Sequence, residues 1–114
     1  MKKQSAEKNF LAEDKVLAEI VKRLVTNFAP QRILLFGSRA AGTADPDSDF
    51  DILIVWRDEQ PPAARAASVR EVLKDIGVPL DIAVVTPSEF SRLRSRRTHI
   101  VAIADREGRI LHAA

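Results

Sequence analysis

The sequence predicts an α+β domain: a small mixed β-sheet that carries its helices on one face. Three observations predict it. Apolar runs at Ile33-Leu34-Leu35-Phe36, Ile52-Leu53-Ile54-Val55-Trp56 and Ile82-Ala83-Val84-Val85 are too short for helices and are bounded by Pro, Gly or charged residues. Longer stretches around them repeat apolar residues at helical spacing. The resulting order (helix, strand, strand, helix, strand, helix, tail) places helices on one side of the sheet and leaves the other to a site.

Glu13 to Phe28 is the first predicted helix. Val16, Leu17, Ile20, Val21, Leu24, Val25 and Phe28 share a face opposite Glu19, Lys22 and Arg23, and Pro30 ends the helix. Residues 1–10 are polar and are expected either to extend this helix from about Ser5 or to be loose. Arg32 to Phe36 follows as a buried strand between Pro30 and Gly37. Ser38 is expected to cap a short helix over Arg39 to Ala41 that Gly42 ends. Phe50 to Trp56 is the second strand, closed by the charged, proline-ended connector Arg57-Asp58-Glu59-Gln60-Pro61-Pro62. The connection between these strands has no long helix, so antiparallel pairing is expected.

Ala64 to Ile76 is the second long helix, with Gly77 as its expected C-terminal cap. Leu80 to Val85 is the third strand. A short helix begins at Thr86-Pro87-Ser88-Glu89 and runs to about Ser95, with proline in its first turn. Ile100 to Ala104 is helical, and Glu107-Gly108 turns into a last strand over Arg109 to His112. Trp56 and the five phenylalanines, Phe10, Phe28, Phe36, Phe50 and Phe90, are expected in the core or at its boundary. His99 is expected at the surface or at a helix start.

At 114 residues with 46% hydrophobic content, residues 1–114 are expected to form one domain with a real core. The absence of cysteine excludes disulfides and Cys-based zinc sites, and two histidines leave little for a His-rich one. No apolar run approaches the ~20 residues needed to span a bilayer. Met1-Lys2-Lys3-Gln4 is not followed by the apolar core of a signal peptide, so a soluble cytoplasmic protein is expected. The net charge of +2 is unevenly spread. Ser38–Gln60 holds six acids against two arginines, and Thr86–Ala114 six arginines against three acids. An acidic centre beside a basic tail suits a site for metal cations and a polyphosphate; charge runs are also simply solvated faces.

The chemistry concentrates between Gly37 and Asp51. Residues two apart on a strand face the same side, about 6.6 Å apart at a rise of ~3.3 Å each. Asp49 and Asp51 so placed can grip one Mg²⁺ or bridge two ions. Asp45 and Asp47, flanking Pro46, read as turn residues. Asp81 stands in an otherwise apolar strand, where a carboxylate is costly unless paired or metal-bound. Alone it would read as a surface or capping residue; beside the other two acids it reads as a third ligand, needing cations to relieve the repulsion. Gly37 permits a sharp turn, and Ser38 adds a hydroxyl donor to the backbone amides of a turn that can seat an anion. Arg39 is a weaker candidate phosphate partner.

Gly37-Ser38, ten residues, then Asp49-x-Asp51 with a later Asp81 resembles the nucleotidyltransferase fold shared with DNA polymerase beta. The stretch Gly-Ser-Arg-Ala-Ala-Gly…Asp-Ser-Asp-Phe-Asp-Ile-Leu-Ile-Val more closely resembles the minimal nucleotidyltransferases (MNT), from about Val16 to Leu111. The resemblance implies that Gly37 and Ser38 hold the triphosphate and that Asp49, Asp51 and Asp81 are the catalytic carboxylates and the ligands of Mg²⁺, two ions in all. It further implies ATP as donor and, as partner, a HEPN-domain ribonuclease toxin, whose tyrosine receives AMP so that the chain acts as antitoxin. Two departures stand out: His112 replaces a commonly aromatic residue, and the chain has no tyrosine, so the acceptor must come from elsewhere.

Three other readings remain. An antitoxin could occlude its toxin without transfer, though occlusion needs no acidic cluster. Arg92, Arg94, Arg96 and Arg97 could bind nucleic acid, but no aromatic residues interleave for stacking, so direct nucleic-acid binding is not expected. Nucleotidyl transfer to a small molecule usually brings an additional substrate domain, which has no room here. Neither the oligomeric state nor the preferred nucleotide is legible.

Overall fold

A computed structural model describes residues 2–114, with side chains from residue 13 onward. The side chain of Phe10 and those of the first ten residues generally, the positions expected to be core and to be loose or helical, lie outside the described residues. Five helices and four strands follow in the order α1 (Lys2–Phe28), β1 (Arg32–Phe36), α2 (Ser38–Ala41), β2 (Phe50–Val55), α3 (Pro62–Leu73), β3 (Leu80–Val85), α4 (Pro87–Leu93), α5 (Ile100–Glu107) and β4 (Arg109–Ala113).

The sheet order is β3-β2-β1-β4. The two β1 pairings are antiparallel and the β2–β3 pairing is parallel, so the sheet is mixed as the sequence predicts. The parallel pair needs a crossover, and α3 supplies it. Beyond the strand ends, Phe50 N–H donates to the Pro79 carbonyl at 2.9 Å and Trp56 N–H to the Val85 carbonyl at 2.8 Å, which lengthens the β2–β3 ladder at both ends.

On one face, Leu17, Ile20 and Leu24 of α1 and Val69 and Leu73 of α3 bury Ile33, Leu35, Ile52, Ile54, Ile82 and Val84. Phe28 and Trp56 close this core as expected, their ring centroids 4.6 Å apart. The expectation that helices occupy one face only needs correction. Leu34, Phe36, Leu53 and Val55 point to the other face, where Phe90 of α4 and Val101 and Ala104 of α5 cover them. The reason is visible in β1 and β2: a continuous apolar run, unlike an alternating one, requires cover on both sides.

Element ends also differ in detail. The first long helix begins before Glu13, and α1 stops where Ala29 turns left-handed (φ 47°) ahead of Pro30, whose ring disfavours the helical region for the residue before it. The second long helix starts at Pro62, suited to a first turn, and ends at Leu73; Gly77 (φ 86°) serves the turn beyond it instead of the cap. α4 ends at Leu93, before Ser95. His99 is a helix-start residue, its Nδ1 accepting from Val101 N–H at 3.1 Å. Among the described residues no helix is long and apolar enough to cross a membrane.

One charged side chain is built into the packing. Arg65 of α3 is 3% exposed and donates from Nη2 to Glu89 Oε1 at 2.9 Å. The same oxygen accepts from Thr86 N–H at 2.8 Å, while Thr86 Oγ1 accepts from Glu89 N–H, a capping box that starts α4. The Thr86 amide and then the Arg65 charge hold the Glu89 carboxyl below the usual range. Glu89→Ala removes the side-chain arm of the capping box and strands a buried guanidinium, so stability at neutral pH should fall by about 3 kcal/mol. Because the folded-state pKa is lowered, this contribution is full above the ordinary carboxylate value and is lost as pH falls through the lower one. Urea titrations of the parent and variant should therefore differ at pH 7 and converge at acid pH.

Candidate active site

The acids meet at one end of the sheet. Asp51 is the second residue of β2 and sits directly beside Asp81 of β3 in the parallel register. Both belong to the face of Leu53 and Val55, at the end that α4 and α5 leave uncovered. Asp51 is half-buried and Asp81 exposed. Asp49 is not on the strand as expected: the ladder begins at Phe50, and Asp49 is the exposed residue just ahead of it.

Electrostatics tie the three together. Burial, then the charge of Asp81, then that of Asp49 push the Asp51 carboxyl above its ordinary range. A side-chain hydrogen bond with Asp81 adds the smallest push in the same direction. Among the described residues, no three His, Cys, Asp or Glu side chains are gathered into a ready metal-ligand set. The arrangement is a facing pair with a third carboxylate near enough to add to the repulsion. An all-oxygen, all-anionic donor group of this kind fits a hard divalent cation, which would relieve that repulsion.

Gly37 joins this group from β1. Phe36 pairs with Asp51 in the antiparallel register, so the residue after Phe36 turns across the acid. Gly37 has φ 72°, and a β-carbon built on it would overlap Asp51 Oδ2. Gly37 also occupies the N-cap position of α2 that was expected for Ser38. Ser38 instead is the first helical residue, because the glycine carbonyl already accepts from Ala41 N–H at 3.1 Å. Among the described residues the Ser38 hydroxyl has no hydrogen bond, so it is available to a ligand.

Arg39 is engaged elsewhere. Its guanidinium donates to the carbonyls of Ser48 and Pro46 and to Glu13, and lies over the Phe50 ring. The residues it binds escaped sequence reading, because nothing in a serine or a glutamate signals which arginine its carbonyl or carboxylate will meet. Asp45 is a turn residue, as expected, accepting from Asp47 N–H at 2.9 Å. Arg92, Arg94, Arg96 and Arg97 are exposed on α4 and the turn after it, and Arg94 is paired with Asp105 at 3.1 Å.

Two clefts of about 450 Å³ lie away from the acids. One runs between α1 and β4 beside Leu17, Val21 and Ile110; the other lies between α1 and the α2–β2 loop beside Val16, Phe50 and Val78. None of the three acids lines either cleft.

Residues 15–111 match the family model described as "Nucleotidyltransferase domain". Among solved structures, a chain from a crystal structure of a toxin–antitoxin with AMP-PNP is 26% identical, with 86% of this chain and 73% of that one covered at a TM-score of 0.61. A putative nucleotidyltransferase from Sulfolobus solfataricus is 25% identical, covering 84% and 76% at a TM-score of 0.61. A chain of the mutant toxin–antitoxin MntA-HpeT, 22% identical over 86% and 73% with a TM-score of 0.58, shares the fold. No curated protein matches the sequence at a significant level.

Proposed function

This chain belongs to the nucleotidyltransferase domain family, and from that premise we propose that it transfers AMP from ATP to a hydroxyl of a partner protein. The proposed partner is a HEPN-type toxin, its tyrosine the acceptor, and the chain its antitoxin. The observation that carries the reading is the contact of Gly37 with Asp51, because it seats the phosphate-gripping turn directly against the acids. Likeness to a toxin–antitoxin chain solved with AMP-PNP supports the choice of partner class and of adenine nucleotide.

The division of labour follows from position. Gly37 and Ser38 hold the β and γ phosphates through backbone amides and the free hydroxyl. Asp49, Asp51 and Asp81 would hold Mg²⁺, two ions in the proposal, which when bound neutralise the triphosphate and polarise its α phosphorus. Asp81, exposed and on the strand beside Asp51, receives the proton of the acceptor hydroxyl on a carboxylate oxygen. The acceptor oxygen then bonds to the α phosphorus as the α–β bridge breaks and pyrophosphate leaves in line. The chain contributes positioning and charge, and no covalent intermediate is required.

Incubating the chain with α-labelled ATP, Mg²⁺ and the protein encoded beside it should place label on a tyrosine of that protein. Failure of all four nucleoside triphosphates to label the partner would overturn the proposal. If Asp49→Asn with Asp51→Asn still neutralises the toxin, protection comes from occlusion and not from transfer.

A further inference from the structure

Asp49 lies outside the strand ladder, so something other than sheet pairing must hold it. The peptides on both sides of it are tied. Downstream, Phe50 N–H donates to the Pro79 carbonyl at 2.9 Å. Upstream, Arg39 donates from Nε (3.2 Å) and Nη2 (2.8 Å) to the carbonyl of Ser48, the residue immediately before Asp49. Nη2 also reaches the Pro46 carbonyl at 3.4 Å, and Nη1 reaches Glu13 Oε2 on α1 at 3.4 Å. The guanidinium carbon stands 4.1 Å from the centre of the Phe50 ring.

The segment so held is already closed on itself. Ser48 N–H donates to the Asp45 carbonyl at 3.1 Å, and Asp45 N–H donates to Ser48 Oγ at 3.0 Å. The Asp45–Ser48 turn is thus bonded within itself, and Arg39 ties it to α2. A guanidinium has five N–H donors. Four hydrogen bonds within the protein leave little of that capacity for a phosphate, and the side chain is only 11% exposed.

We infer that Arg39 is a positioning residue for Asp49. It fastens the loop bearing this carboxylate to the helix that begins at the phosphate-gripping turn, so metal and triphosphate are held at one fixed separation. It does so without touching the nucleotide itself. The inference rests on the reading of Asp49 as a metal ligand. Lysine can keep the charge and the stem against Phe50, but it cannot reproduce the two-pronged grip on one carbonyl.

The test compares the parent with Arg39→Lys, Arg39→Gln and Asp49→Asn. Affinity for Mn²⁺ alone is followed by electron paramagnetic resonance of the free ion, ATP affinity is measured in EDTA, and thermal melts confirm folding. Both Arg39 variants should bind Mn²⁺ about 10–100-fold more weakly, the usual effect of losing a group that orients a metal ligand. Turnover at limiting Mn²⁺ should fall by a comparable factor and recover in excess Mn²⁺, while ATP affinity in EDTA stays within about twofold. Weakened ATP binding with unchanged Mn²⁺ affinity would overturn the inference in favour of a direct phosphate contact, as would no change in either. Should Arg39→Gln fail to fold, Arg39→Lys carries the comparison. An Asp49→Asn chain that binds Mn²⁺ like the parent would remove the metal-ligand reading, and this inference with it.

Discussion

Asp51→Asn should abolish nucleotidyl transfer and at the same time make the metal-free protein harder to melt. Activity should fall on the order of 10³-fold or more, beyond the 10–100-fold typical of groups that only orient a ligand. Asparagine keeps the shape but removes the charge that would hold the cation at the centre of the site. The gain in stability has a separate cause. Asp51 is half-buried beside Asp81 and Asp49, and its carboxyl is pushed above the ordinary range by burial first and by those two charges next. A raised folded-state value means the native protein holds the proton more tightly than the unfolded chain does. The corresponding stability is full below the ordinary carboxylate pKa and is lost as pH rises through the raised one. At neutral pH the parent therefore carries a penalty that asparagine lacks.

In EDTA at pH 7 the variant should melt a few degrees higher, since about 1 kcal/mol moves the midpoint of a domain this size by ~4–8 °C. Saturating Mn²⁺ should reverse the order, because a ligand at about 100 times its dissociation constant stabilises its binder by ~2.7 kcal/mol. Calorimetry with and without the ion reads both halves. A variant that retains activity, or that melts lower in EDTA, would remove Asp51 from the centre of the site.

The second large effect belongs to Gly37. Gly37→Ala faces two costs: a backbone at φ 72° and ψ −156°, a region almost confined to glycine that costs an L-residue about 1–3 kcal/mol, and a β-carbon overlapping the Asp51 carboxylate. The backbone cannot yield without unpairing Phe36 from Asp51, so the carboxylate must move. A displacement of about 1 Å at a reacting centre can cost on the order of 10²-fold in rate, and transfer should fall at least that far. Gly42→Ala is the control. Its φ of 77° with ψ 15° lies in the left-handed helical region, which costs an L-residue about 1–2 kcal/mol, and a β-carbon there meets nothing within 4 Å. Both variants should lose stability, Gly37→Ala the more, and only Gly37→Ala should lose activity. Equal losses of activity would mean that the turn acts through its own folding and not through contact with Asp51.

Much of this arrangement is legible in the chain because it is local. β1 and β3 carry the predicted bounds, since Pro30 and Gly37 bracket one apolar run and Pro79 and Pro87 the other. The antiparallel return of β2 onto β1 follows from a connection that contains no crossover helix long enough for parallel pairing. The cover on the second face was also written in the unbroken runs of β1 and β2, although helical periodicity in α4 and α5 is too short to announce it.

The amino-acid sequence by itself determined which residues could do chemistry here: a glycine–serine corner, two acids one residue apart, and a third acid in an apolar strand. Spacing, turn propensity and the cost of an unpaired charge all act over a few residues, so they can be read from neighbours. Only the tertiary structure decided that Asp81 lies beside Asp51, that Gly37 rests against the same carboxylate and that Arg39 grips the Ser48 carbonyl. Those contacts depend on strand register, which is set by how the whole sheet packs beneath α1 and α3. A shift of one residue in β3 would have turned Asp81 to the opposite face with no local signal to mark the change.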